Sequence, residues 1–205
     1  MIIENNYLVK LYYMNQLRNI AKNIILAVGI SIFLNMVLGN YIVEGQSMTP
    51  TLKDSQRLFV NKFIYLKLPD LISPYDEVFY NQPEKGEVVV FIAPYPYDSE
   101  GKSFVKRIVG APGDIVENKS GTIYVNNLPF MNNFGNTPEI SEQGVVIVPD
   151  NYYYVLGDNR NHSNDSRSFG LIHRSSIKGR VWFIYWPFYY LKVFDYNLNP
   201  DLQGT

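Results

Sequence analysis

The feature that most constrains this chain is an apolar run of twenty residues without a charge, residues 24–43. A helix of this length matches the ~30 Å hydrocarbon core of a bilayer. The run contains Ser31, Asn35 and Asn40, which are tolerated because a helix satisfies its own backbone hydrogen bonds. It therefore predicts one transmembrane helix over residues 24–43.

The segment before this run, residues 1–23, carries three basic side chains against a single acid. A cleaved signal peptide would have a shorter lead-in and a small-x-small site after the apolar run, so a retained anchor is favoured. Basic residues before a span predict a cytoplasmic N-terminus. The protein is thus expected in the cell membrane as a single-pass protein, with residues 44–205 outside the cytoplasm.

From residue 44 onward, short apolar runs alternate with turn residues, which is typical of β-strands. Tyr occurs 17 times, and Tyr favours strands over helices. The predicted strands are residues 57–65, 87–93, 103–109, 115–117, 122–125, 145–148, 152–156 and 181–186. Residues 126–144 are polar and rich in turn residues, which predicts a surface insertion. The expected fold class is mainly β, an antiparallel domain over residues 44–205 on one membrane helix.

Composition excludes several classes of function. The net charge of -1 provides no basic face for nucleic acid. The absence of Cys excludes disulfides and thiolate metal sites. The spacing of His162 and His173 matches no common zinc pattern. We therefore expect no metal, no cofactor and no nucleic-acid partner.

Ser47 is a candidate nucleophile a few residues beyond the predicted span. Gly45 precedes it and Pro50 follows it, and Pro disfavours a helical conformation at the residue before it. Ser47 is therefore expected on an extended or turning backbone. A serine hydroxyl is a weak nucleophile unless a base activates it.

Lys106 is one candidate for that base. On a strand its side chain shares a face with Phe104 and Ile108, and partial burial there would lower its pKa. The strand pattern also fits an exposed lysine that extends past apolar neighbours, and on this pattern alone that reading is the simpler one. Both histidines have polar or charged neighbours in sequence and are expected on the surface.

A polar cluster follows the predicted strand 152–156. Residues 157–167 read GDNRNHSNDSR, and so many short polar side chains are typical of a turn that hydrogen-bonds to itself. The cluster also offers an acid for Arg107 and a hydroxyl that could hold a neutral lysine.

Taken together, three stretches resemble the conserved boxes of bacterial type I signal peptidases. They are GQSMTPTL at residues 45–52, FVKRIVGAPGD at residues 104–114 and the 157–167 cluster. The run GEVVVF at residues 86–91 also resembles the strand before the lysine box of that family. A single anchor is similar to the Gram-positive form.

This resemblance implies a Ser-Lys dyad protease. Ser47 would be the acylating nucleophile and Lys106 the general base, which later returns its proton to the leaving amine. Ser163 would orient the lysine by a hydrogen bond. The backbone N–H of Ser47 is the implied oxyanion donor, whereas Gly45 replaces a residue that supplies a second donor hydroxyl in some relatives.

The resemblance also implies supporting and substrate-binding residues. Asp165 would pair with Arg107, and Asp158 and Arg167 would belong to the same network. Shallow pockets for small side chains would be walled by Val43, Met48, Leu52, Phe104 and Val105, beside Gly45. The implied partners are membrane lipid and pre-proteins that bear signal peptides ending in a small-x-small motif such as Ala-x-Ala. No metal or cofactor is implied.

Three alternatives remain at this point. One is a Ser-Lys protease of another specificity, such as a self-cleaving repressor. The second is a catalytically silent or narrow-specificity relative that acts in surface-protein or pilus assembly. The third is an anchored β-rich binding domain, which leaves the three boxes unexplained.

Overall fold

A computed structural model describes residues 2–65, 81–97, 102–130 and 144–196, with side chains from Tyr13 onward. The chain divides into two units, Met1–Val37 and Leu38–Thr205. Most of the predicted 126–144 insertion falls outside the described residues.

The first unit is a long helix, α1, at Ile2–Val37. Its stretch Tyr13–Val37 has a mean hydropathy of 1.9 and is long and apolar enough to cross a membrane. The predicted span of 24–43 requires correction, because residues 38–42 form a strand. An apolar run does not distinguish burial in a bilayer from burial in a sheet, and Val43 lies in the protein core.

The second unit is built from twelve described strands in two sheets. The larger sheet contains β1 (Leu38–Ile42), β2 (Arg57–Asn61), β3 (Val88–Ile92), β4 (Ser103–Gly110), β9 (Tyr152–Leu156), β10 (Ile172–His173), β11 (Ile177–Trp186) and β12 (Lys192–Val193). Its order is β1-β2-β11-β3-β4-β9-β10, and β12 pairs with β11.

The smaller sheet has the order β7-β6-β5-β8. It contains β5 (Ile115–Lys119), β6 (Thr122–Val125), β7 (Leu128–Pro129) and β8 (Val146–Ile147). Every strand pairing described in the two sheets is antiparallel, which confirms the mainly β, antiparallel prediction. The predicted strand at 57–65 is shorter, because a 3-10 turn occupies Phe63–Tyr65.

Strand β3 shows that the larger sheet is buried on both faces. Val88 and Val90 pack into one core cluster, whereas Val89 and Phe91 pack into another. A strand covered on both sides has an apolar sequence without alternation, as residues 88–91 do. This strand pairs with β4 and so supports the position of Lys106, which lies opposite Val89.

Candidate active site

Ser47 lies in a loop between β1 and β2 that is closed at its base by backbone hydrogen bonds. Val43 N–H donates to the Gln56 carbonyl at 2.8 Å, and Ser55 N–H donates to the Val43 carbonyl at 2.8 Å. Within the loop, Met48 and Leu52 are 1% and 0% exposed. Each such burial stabilises the fold by roughly 1.5–3 kcal/mol, so the loop is anchored to the core on the C-terminal side of the serine.

Asp54 fixes the start of this loop by a hydrogen bond. The Gly45 N–H donates to Asp54 Oδ1 at 2.6 Å, and Gly45 has a φ of 85°, a backbone conformation that glycine adopts readily. The same bond lowers the pKa of Asp54, with help from the Ser55 hydroxyl. Because the Gly45 N–H is already engaged, this backbone group does not supply a second oxyanion donor in this conformation.

The structure brings Lys106 to Ser47. Lys106 Nζ lies 2.8 Å from Ser47 Oγ and 2.9 Å from the Val105 carbonyl oxygen. The lysine is 4% exposed, which excludes the exposed alternative. Burial lowers the pKa of Lys106 to about 8, against the opposing effect of the Asp165 and Asp158 charges. A large fraction of this amine is therefore neutral in mildly alkaline water, and a neutral amine can accept the serine proton.

The acid that pairs with Arg107 is Asp158 rather than the predicted Asp165. Arg107 Nε and Nη2 donate to the two carboxylate oxygens of Asp158, both at 2.8 Å. Arg107 lies opposite Leu156 in the β4–β9 register, and Asp158 follows Leu156 by two residues. The strand register, which spacing alone does not reveal, thus decides the pairing.

Asp165 pairs with Arg167 instead. Arg167 Nε and Nη2 donate to the Asp165 carboxylate, both at 2.8 Å. Asp165 also accepts from Gly157 N–H at 3.0 Å, and it caps a short helix, α2, at Ser166–Phe169. The 157–167 turn therefore carries two ion pairs, and the charge of the buried Arg160 interacts with both of their acids.

Ser163 does not make its predicted hydrogen bond to the lysine. Its Oγ is buried and has no hydrogen-bond partner among the described residues. The side chain packs against Gly157, where a Cβ would lie 2.1 Å from Ser163 Oγ. The described polar contacts of Lys106 Nζ are Ser47 and Val105.

A cavity of about 370 Å³ opens beside the Ser47 hydroxyl. Three of the predicted wall residues line it, Val43, Phe104 and Val105. Met48 and Leu52 do not line the cavity. Their side chains lie in the hydrophobic core, so their predicted role as pocket walls requires correction. Tyr41 also lines the cavity and was not predicted, because its apolar neighbours suggested a membrane span.

The edge of β4 beside this cavity is open. Residues 103–106 pair with β3 on one side, whereas the described pairing with β9 begins only at Arg107. Among the described residues no strand pairs with the other side of this stretch, where the one reported contact is that of the Val105 carbonyl with Lys106 Nζ, so an extended chain could bind there. Such an edge is the usual receptor for a peptide that binds as an added strand.

The remaining predicted and possible site groups are less central. His162 and His173 are both exposed, and their rings contact Asn159 and Ser175. In the part of the chain that the structure describes, no group of three His, Asp or Glu side chains could hold a metal ion. Asn159, which the sequence reading left without a role, contacts the Ser47 loop directly.

Comparison with known proteins identifies the family of this chain. The model of the family "Signal peptidase, peptidase S26" matches residues 17–186. Signal peptidase IB of Staphylococcus aureus is 36% identical, with 86% of this chain and 94% of that protein covered. A probable signal peptidase I-2 of Synechocystis sp. is 38% identical, with 80% and 69% covered. A crystal structure of signal peptidase I from Enterococcus faecalis has 28% identity and a TM-score of 0.41, with 49% of this chain and 97% of that one covered. The chain belongs to the signal peptidase family, peptidase S26.

Proposed function

We propose that this signal peptidase removes N-terminal signal peptides from secreted pre-proteins with a Ser47–Lys106 dyad. The observation that carries the proposal is the 2.8 Å contact between Lys106 Nζ and Ser47 Oγ, made by a lysine that is buried. A nucleophile and a base within hydrogen-bond distance are the geometric requirement for covalent catalysis by serine.

The proposed reaction has two steps. Neutral Lys106 accepts the Ser47 proton while Oγ attacks the scissile carbonyl carbon, and the oxyanion that forms accepts from Ser47 N–H. The protonated lysine then gives its proton to the leaving amine, which is the N-terminus of the mature protein. Lys106 next accepts a proton from water while the water oxygen attacks the acyl carbon. The bond from Ser47 Oγ to that carbon then breaks, Lys106 returns the proton to Oγ, and the signal peptide leaves with a new carboxyl terminus.

The cavity and the open edge support cleavage after a small-x-small motif such as Ala-x-Ala. A substrate added as a strand beside residues 103–106 would point alternate side chains toward the cavity. The cavity includes Tyr41, Val43 and Phe104 in its lining, and this apolar surface suits the apolar side chains of such a motif.

The apolar helix supports a retained membrane anchor in contact with lipid. Tyr13–Val37 has the length and hydropathy of a span, and the basic excess in the first 23 residues favours a cytoplasmic N-terminus. The catalytic unit would then lie outside the cytoplasm, where signal peptides emerge. Protease added outside intact cells should degrade residues 44–205; their protection would refute this orientation.

The decisive experiment uses the full-length protein in detergent and a pre-protein whose signal ends in Ala-x-Ala. Wild type and His162→Ala should cleave after the second Ala, whereas Ser47→Ala and Lys106→Ala should not. Cleavage by Lys106→Ala at the wild-type rate would refute the dyad. The absence of cleavage by the wild type on several such pre-proteins would instead favour the catalytically silent relative.

A further inference from the structure

We propose that Asn159 is a positioning residue for the oxyanion donor of this protease. The inference rests on the proposed role of Ser47, whose backbone N–H would stabilise the oxyanion. It comes from one contact: the Asn159 side chain donates from Nδ2 to the Gln46 carbonyl oxygen at 3.1 Å. The side chains of Ser47 and Lys106 take no part in this contact, so Asn159 would contribute to catalysis separately from the dyad.

The Gln46 carbonyl and the Ser47 N–H belong to the same peptide unit. A trans peptide is planar, and its C=O and N–H point in opposite directions. A hydrogen bond that holds the carbonyl on one side therefore aims the N–H to the other side. No described backbone or side-chain group accepts from Ser47 N–H, so this donor is available to a substrate oxygen.

Asn159 also holds the next peptide unit. Its backbone N–H donates to the Ser47 carbonyl oxygen at 3.0 Å. One residue thus contacts the peptide groups on both sides of the Ser47 Cα atom. The Gln46 carbonyl accepts a second bond from Thr49 N–H at 3.1 Å, but Thr49 belongs to the same loop and would move with it. Asn159 follows β9 and connects the loop to the large sheet.

The neighbours of Asn159 explain how the turn comes so close. A Cβ on Gly157 would lie 2.5 Å from the Ser47 carbonyl oxygen, so only glycine permits this approach. Asp158 is held by Arg107. The Asn159 Oδ1 atom lies 3.4 Å from His162 Nδ1, which leaves Nδ2 directed at Gln46. This amide orientation is the only one that can bond to Gln46, because a carbonyl accepts and does not donate.

The test compares Asn159→Ala with wild type in the full-length enzyme, with a signal-peptide substrate and a peptide aldehyde inhibitor. The aldehyde forms an adduct on Ser47 whose oxygen needs the oxyanion donor. We expect kcat to fall by about tenfold to a hundredfold, as for other small misplacements of reacting groups. Aldehyde affinity should fall by a similar factor, whereas KM should change by less than about twofold.

A merely structural role would give a different result. Damage to the whole loop would also disturb Lys106, so it would shift the midpoint of the pH–rate profile and lower the unfolding temperature. Positioning of the donor leaves both unchanged. Asn161→Ala is the matched control, because Asn161 is an exposed asparagine of the same turn and should keep wild-type kcat. Asn159→Asp keeps the side-chain shape but loses the donor, so it tests the same role if Asn159→Ala does not fold.

Wild-type kcat and aldehyde affinity in Asn159→Ala would overturn the proposal, as would a kcat loss that comes with a shifted pH midpoint. Ser47→Ala, measured in the same assay, separates this failure from failure of the dyad. If Ser47→Ala is inactive while Asn159→Ala behaves as wild type, only the positioning role is wrong. If Ser47→Ala still cleaves, the dyad itself is wrong.

Discussion

Arg107 and Asp158 form a two-point ion pair beside the proposed catalytic lysine, and both residues are almost completely buried. Arg107 also donates to the Gly86 carbonyl at 2.6 Å and to Thr51 Oγ1 at 3.3 Å. Thr51 belongs to the nucleophile loop, whereas Arg107 is the neighbour of Lys106 on β4. The pair therefore connects three segments: the loop that carries Ser47, the strand that carries Lys106 and the turn after β9.

Asp158→Asn should destabilise the protein strongly. It leaves the Arg107 charge buried without its partner, and breaking a buried pair typically costs roughly 3–5 kcal/mol. Urea unfolding of wild type and variant measures the change. Lys119→Ala, which removes a surface partner of Glu117, is the control and should cost less than about 1 kcal/mol. Equal stability of Asp158→Asn and wild type would contradict the prediction.

The cleavage rate should rise with pH and level off above a midpoint near the Lys106 pKa of about 8. The physical reason is that only the neutral amine can accept the Ser47 proton. The measurement is kcat/KM from pH 6 to pH 10 on one peptide. Because the histidines are not part of the proposed site, His162→Ala should retain the same midpoint. A rate that does not change over this range would argue against a lysine base.

Lys106→Met should be inactive but more stable than wild type at neutral pH. Burial lowers the folded-state pKa of Lys106 to about 8, below the ~10.4 of an unfolded lysine. Between these values the unfolded chain binds more protons, so the Lys106 contribution to the free energy of unfolding rises with pH. Below pH ~8 the buried charge costs on the order of 3 kcal/mol, which the methionine removes. Unfolding experiments at pH 7 and pH 10.5 should show the advantage of Lys106→Met shrinking at the higher pH; a constant difference would contradict the linkage.

Gly157→Ala should abolish most cleavage. The added Cβ would meet Ser163 Oγ at 2.1 Å and the Ser47 carbonyl oxygen at 2.5 Å, so the turn or the nucleophile loop must move. Gly144→Ala is the matched control, since a Cβ there meets nothing within 4 Å. The initial cleavage rate of each variant tests this. Normal activity in Gly157→Ala would show that the close approach is not needed.

Much of the fold was predictable because it depends on local patterns. The unbroken apolar run at 88–91 lies where the structure has a buried strand. The turn residues around 118–121 lie at a hairpin turn, and the polar cluster at 157–167 forms a structured turn. The end of the membrane helix was not predictable, because the apolar composition of residues 38–43 suits both a helix in a bilayer and a strand in a sheet. In the structure residues 38–42 pair with β2.

The finer contacts depend on register and could not be obtained from spacing. Asp158 rather than Asp165 reaches Arg107 because β4 and β9 align Arg107 with Leu156. Asn159 had no distinguishing sequence signal, since its importance comes from Gln46, a residue more than a hundred positions away. The dyad was easier to anticipate, because the resemblance supplied both of its members.

The open edge of β4 has a consequence beyond substrate binding. An unpaired strand edge can also capture the same edge of another copy, which leads to aggregation. Natural proteins often discourage this with charged residues on the edge, especially lysine. Here exposed Lys102 immediately precedes the open stretch and Lys106 ends it. Because Lys106 is buried, this protection falls to Lys102, whose exposed charge would repel its counterpart in a second molecule and so keep the substrate-binding edge from pairing with itself.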